Sequence, residues 1–204
     1  MKSSLSALLV SCVLVSTPAW SLPYLEIGDA GESLATAQAV GGGVTTIVGD
    51  IVRDNADLFA FYWNGGALTL DTVGSSADTQ LFLFNSLGQG VWANDEAVPY
   101  PSSRIVDPAL VAGQYYIGLS LFDYDPYSSL GVMFPSAPFT GQFGPSNSAP
   151  LDHWARFSPH LSGAGDYVIN FSSATAVPEP PMLILLGTAL LAMGYSRRRA
   201  RIAR

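Results

Sequence analysis

What most constrains this chain is a rhythm. Between residues 44 and 121, short runs rich in Val, Ile, Leu, Phe, Tyr and Thr alternate with turn-forming residues about every 8–12 positions. The runs predict strands over 44–51, 57–63, 67–73, 79–84, 90–93, 103–106 and 114–121, with a last one over 166–171. Asn64-Gly65-Gly66 and Asn85-Ser86-Leu87-Gly88 are turn sequences of the hairpin kind. Alternation such as Tyr115, Ile117 and Leu119 turns one face of a strand to a core. Outside the two ends no stretch keeps a helical period. The fold class is therefore all-β, an antiparallel β-sandwich or jelly roll. Residues 22–43 are small and polar, and 26–40 reads as a loop or short helical turn leading into the first strand. Residues 123–165 break the rhythm with Pro126, Pro135, Pro138, Pro145, Pro150 and Pro159. More than about 40 residues is long for a loop. The expectation is an insertion that sits on the sandwich and partly covers one edge.

The two ends follow other rules. Met1-Lys2, an apolar run from Leu5 to Val15 and then Thr17-Pro18-Ala19-Trp20-Ser21 make a secretory signal over 1–21, with its own signal helix. Cleavage after Ser21 or after Ala19 fits the small residues, and Leu9-Val10-Ser11-Cys12 leaves lipidation at Cys12 open. At the other end Val177-Pro178-Glu179-Pro180-Pro181 precedes an apolar run from Met182 to Tyr195. Arg197, Arg198, Arg199, Arg201 and Arg204 follow it. A helix of that run rises ~21 Å, against a hydrocarbon core of ~30 Å. Local thinning and snorkelling arginines make up the difference. A transmembrane helix over about 181–196 is expected, with Arg197, Arg198 and Arg199 as a cytoplasmic stop. The intervening domain, 22–176, then lies outside.

This tail resembles the PEP-CTERM sorting signal of Gram-negative bacteria, on Pro178, Glu179 and Pro180, the apolar segment with Leu185-Leu186-Gly187, and the arginines. The resemblance covers residues 177–204. It implies an exosortase-type membrane protease as partner, transient residence in the inner membrane, and cutting near Pro-Glu-Pro. It also implies a setting of exopolysaccharide and biofilm, with the processed protein at the cell surface or in the extracellular matrix.

Removing both ends leaves about 155 residues, enough for one domain. That domain keeps three basic residues, Arg53, Arg104 and Arg156, and 15 of the 16 acids, a net charge of −12. Such a surface repels nucleic acid and anionic lipid. Its only cysteine, Cys12, falls in the signal, so no disulfide and no Cys metal site serve the domain.

The middle domain resembles the bacterial pre-peptidase C-terminal (PPC-like) β-sandwich. The matching residues include Gly49-Asp50-Ile51, Asp57-Leu58-Phe59-Ala60-Phe61, Leu68-Thr69-Leu70-Asp71, Asp78-Thr79-Gln80-Leu81, Ala93-Asn94-Asp95-Glu96 and Ala112-Gly113-Gln114-Tyr115. The resemblance implies a non-enzymatic accessory or free-standing module. The 123–165 insertion departs from it.

Chemistry is sparse. Asp78, Asn94, Asp95 and Glu96 are the candidate metal ligands, for calcium, because hairpins bring strand ends together and calcium takes six to eight hard oxygens. The resemblance points to the same turn. Asn and Asp also favour turns for backbone reasons. Asp123-Tyr124-Asp125 is a second acidic pair. His153 and His160 are the only histidines, and no Gly-x-Ser-x-Gly or His-Glu-x-x-His pattern occurs. Loop aromatics such as Trp92, Tyr100, Tyr124, Phe134, Phe139 and Trp154 fit either sugar stacking or a small satellite core under the insertion, the latter preferred. The expected function is a non-catalytic exported surface protein. The alternative is a secreted hydrolase acting on glycan or peptide.

Overall fold

The computed structural model describes residues 23–52, 55–156 and 163–172. Among them fourteen strands run in chain order. Two short ones come first, β1 (Tyr24–Leu25) and β2 (Gln38–Ala39). Then follow β3 (Thr46–Ile51), β4 (Ala56–Trp63), β5 (Gly66–Asp71), β6 (Thr79–Asn85) and β7 (Gly90–Asn94). Next are β8 (Arg104–Leu110), β9 (Gly113–Leu121), β10 (Tyr124–Ser128) and β11 (Gly131–Val132). The last three are β12 (Gln142–Phe143), β13 (Leu151–Arg156) and β14 (Gly165–Ser172). All eight strands expected from the rhythm are present, within a few residues of their predicted ends.

They form two facing sheets, in the orders β1-β3-β14-β5-β8 and β12-β7-β6-β9-β4-β2. The main core lies between them. Ile47, Leu68, Leu70, Ile105, Tyr167 and Ile169 of the first sheet meet Phe59, Phe61, Leu81, Leu83, Ile117 and Leu119 of the second. The rings of Phe59 and Tyr167 meet edge to face at 6.3 Å, and those of Phe61 and Phe171 at 5.5 Å.

The insertion is more ordered than its prolines suggest. Strands β11, β10 and β13 make a third sheet, and β12 pairs with β7 at the margin of the six-stranded sheet. The expectation of a long segment without clear strands is thus corrected. The third sheet covers the outer face of the six-stranded sheet, where Ala56, Leu58, Phe82, Phe84 and Ala93 meet Tyr124, Met133, Phe134 and Trp154. This is the satellite core expected for the loop aromatics in the case of Tyr124, Phe134 and Trp154, whereas Trp92 packs on the main core and Tyr100 and Phe139 are exposed. Residues on β6 are consequently buried on both faces.

Gly118 on β9 is one place where the third layer presses on the sheet. A Cβ there would meet both the Phe84 and Trp154 rings at 3.0 Å. Gly118→Ala should therefore cost about 1–3 kcal/mol through overpacking. The measurement is the midpoint of chemical unfolding, and an unchanged midpoint would show that the third layer yields there.

The N-terminal segment straps these layers together. It includes one helical turn at Ser33–Ala37, where the Ala37 amide donates to the Ser33 carbonyl at 3.0 Å. Glu32 reaches the third layer: the Trp154 indole donates to its carbonyl at 2.9 Å, and the Tyr124 hydroxyl to its carboxylate at 3.1 Å. Two glutamines stand in for strand residues. Gln38 accepts from the Ile27 amide at 3.1 Å and donates to the Ile27 carbonyl at 2.8 Å. Gln142 does the same to Val106 on β8, at 2.7 and 3.0 Å.

Candidate functional site

Antiparallel pairing sets Leu81 beside Asn94 and Thr79 beside Leu121, so the start of β6 and the ends of β7 and β9 lie together. The chain leaves β7 through Asn94-Asp95-Glu96 and leaves β9 through Phe122-Asp123 into β10. Asp123 takes a positive φ of 68°, a conformation Asp tolerates better than most residues. The Phe122 amide donates to the Asp78 carbonyl at 3.0 Å. The Ser103 hydroxyl donates to the Asp95 carbonyl at 2.8 Å and touches the Thr79 carbonyl. These bonds fix the backbone on which the acids stand.

The acids collect around one small cavity of about 30 Å³. Asp95, Asp123 and Asp125 line it, with Gln80, and aromatic and proline side chains close the rest. Asp125 accepts from the Gln80 side-chain amide at 3.2 Å. Asp95 is only 9% exposed, and its Oδ1 has no hydrogen-bond partner. Burial pushes the Asp95 carboxyl up to about 8, and Asp78, Glu96, Asp125 and Asp123 push it the same way. Burial also raises Asp125, to about 6, against the pull of the Gln80 hydrogen bond. Asp78 is raised by burial and then by Glu96.

Of the four candidate calcium ligands, Asp78, Asp95 and Glu96 are thus electrostatic neighbours. Asn94 is engaged elsewhere. Its Oδ1 accepts from the Arg104 amide at 2.6 Å, and its Nδ2 donates to the carbonyls of Glu96 and Gly141. That side chain braces the turn and the β12 strand. Among the described residues no three His, Cys, Asp or Glu side chains are grouped so as to hold a metal ion.

A third buried acid escaped the sequence reading. Asp57 on β4 is fully buried, and neither of its oxygens has a hydrogen-bond partner. Burial raises it to about 7, helped by Glu26, Asp29 and Asp50, while the Tyr167 hydroxyl leans toward it and lowers it. Tyr167 gives its proton to Glu26 at 3.1 Å. Glu26 also accepts from the amides of Ala30 and Asp50. Gly49 lies directly under this group: a Cβ there would fall 2.2 Å from Glu26 Oε2.

His153 lies on β13, exposed, with Nδ1 3.0 Å from Asp152 Oδ2 and its ring stacked on Tyr127. His160, the sorting residues Pro178, Glu179 and Pro180, and Arg197, Arg198 and Arg199 lie outside the described residues, as do the two terminal segments expected to be helices. Among the described residues no helix is long and apolar enough to cross a membrane.

Comparison with known proteins bears on the tail. The PEP-CTERM protein-sorting motif matches residues 176–199. The motif marks an exported, membrane-anchored precursor handled by an exosortase-type processing enzyme. No curated protein matches the chain. Among solved structures, Aeromonas hydrophila PliG, a periplasmic lysozyme inhibitor of g-type lysozyme, aligns at 9% identity and a TM-score of 0.35. The alignment covers 74% of this chain and 100% of that one.

Proposed function

We propose that this chain is the precursor of a non-catalytic protein of the cell surface or extracellular matrix of a Gram-negative bacterium, delivered into an exopolysaccharide or biofilm setting. The observation that carries the reading is the sorting motif at residues 176–199, joined to an acidic β-sandwich. A net charge of −12 over residues 22–176 keeps such a domain soluble and away from anionic lipid once it is released. Asp95, Asp123 and Asp125 line a cavity too small for a sugar ring. The exposed Asp152–His153 pair is the feature that favours a hydrolase instead. Turnover in a broad glycan and peptide screen, lost in His153→Ala, would establish that reading.

The test of delivery is mass spectrometry of the mature protein with cell fractionation. Cleavage near Pro178-Glu179-Pro180 and recovery at the surface are expected. Replacing Pro178, Glu179 and Pro180 together by alanine should leave most of the protein uncut in the membrane fraction. An intact tail on surface-localised wild-type protein would overturn the reading.

A further inference from the structure

We propose that the cavity under the β9–β10 turn is a receptor for a linear aminoalkyl cation, its protonated amine seated on Asp95 and Asp125. The inference rests on this cavity and not on the export reading.

Three observations carry it. The first is the stranded acceptor. A buried carboxylate oxygen without a partner is costly, and a donor reaching it recovers that cost. Asp95 lines the cavity, and its Oδ1 is such an oxygen, buried at the cavity's edge. The chain is poorly furnished to fill the place itself: its single lysine is Lys2, in the signal.

The second is the wall. Phe122, Phe134, Phe139 and Phe143 line the cavity beside the acids. The rings of Phe122 and Phe139 meet edge to face at 5.4 Å. Aromatic faces attract an alkylammonium and hold its methylenes, but give no oxygen to a metal. An ammonium needs at most three acceptors, whereas calcium wants six to eight oxygens. Asn94, the neutral oxygen donor expected here, already accepts from Arg104.

The third is size. About 30 Å³ holds an ammonium head and no pyranose ring. This selects the slender end of a lysine side chain or a small diamine over an amino sugar.

The test uses thermal unfolding of the protein purified after export, since a ligand that binds only the folded state raises its midpoint. Millimolar n-butylammonium is expected to raise the midpoint of the wild type, and a lysine-containing peptide to do the same. Glucosamine and tetramethylammonium are expected to have no effect. Asp95→Asn, which keeps the side chain's size and removes the carboxyl that gives up its proton to pair with the ammonium, should abolish the rise, and Phe143→Leu should weaken affinity several-fold. Asp57→Asn, at a residue that does not line the cavity, should keep it. Equal shifts in wild type and Asp95→Asn would overturn the proposal. So would no shift with either amine, or a shift with calcium alone, which would make this a metal site.

Discussion

Trp154→Ala is expected to destabilise the domain by about 3–5 kcal/mol, the cost of removing a large buried aromatic side chain. Trp154 is 6% exposed. Its ring meets Phe82 at 5.4 Å and Phe84 at 6.3 Å, both edge to face, and stacks on Tyr124 at 6.2 Å. Its indole also holds the N-terminal strap through the Glu32 carbonyl. Truncation empties the centre of the satellite core and removes one of the strap's hydrogen bonds at one stroke. Chemical unfolding followed by near-ultraviolet circular dichroism would measure it. Trp154→Phe, which keeps ring contact and loses the hydrogen bond, should cost much less. Equal losses in the two variants would mean that the strap bond, and not the packing, dominates.

Stability is expected to fall as pH rises from about 4 to about 8, the reverse of a protein held by paired carboxylates. Asp57, Asp95 and Asp125 are raised in the folded state to about 7, about 8 and about 6. In the unfolded chain they ionise near 4. Over that window the folded state holds protons that the unfolded state has released, so raising the pH favours unfolding. Each such proton contributes a slope of about 1.4 kcal/mol per pH unit until its folded pKa is passed. Melting temperature against pH checks the sign. Asp57→Asn removes one of the three, so it should flatten the lower part of the curve and raise the midpoint near pH 8. A wild-type midpoint that climbs steadily toward about pH 8 would contradict the assignment of these acids as buried and protonated.

How much of this was legible beforehand depends on how far each feature is local. The eight sandwich strands were readable because one face of each is apolar, as in Phe59 and Phe61 or Ile117 and Leu119. Strands β10 and β13 were not. Pro126 sits inside β10, where proline signals a break, and its carbonyl accepts from the Met133 amide. In β13, Trp154 is the only buried residue of six, so no alternation marks it. The two acidic pairs, Asp95-Glu96 and Asp123-Tyr124-Asp125, were each visible in the sequence. Their convergence was not, because it depends on the chain folding back after β9. Asp57 did leave a trace: it stands in phase with Phe59 and Phe61, on the face of β4 that turns inward. An acid on the apolar phase of a strand is the signal that would have found it.

The paired amide contacts of Gln38 and Gln142 have a consequence for life at high local concentration. A bare strand margin is a template on which a foreign chain can add itself as the next strand. On β8 the outward N–H and C=O of Val106 are already taken by an amide that ends in a side chain and cannot be extended. Gln38 closes Ile27 in the same way. At these two points the sheet finishes itself, and growth from copy to copy is stopped there by two glutamines.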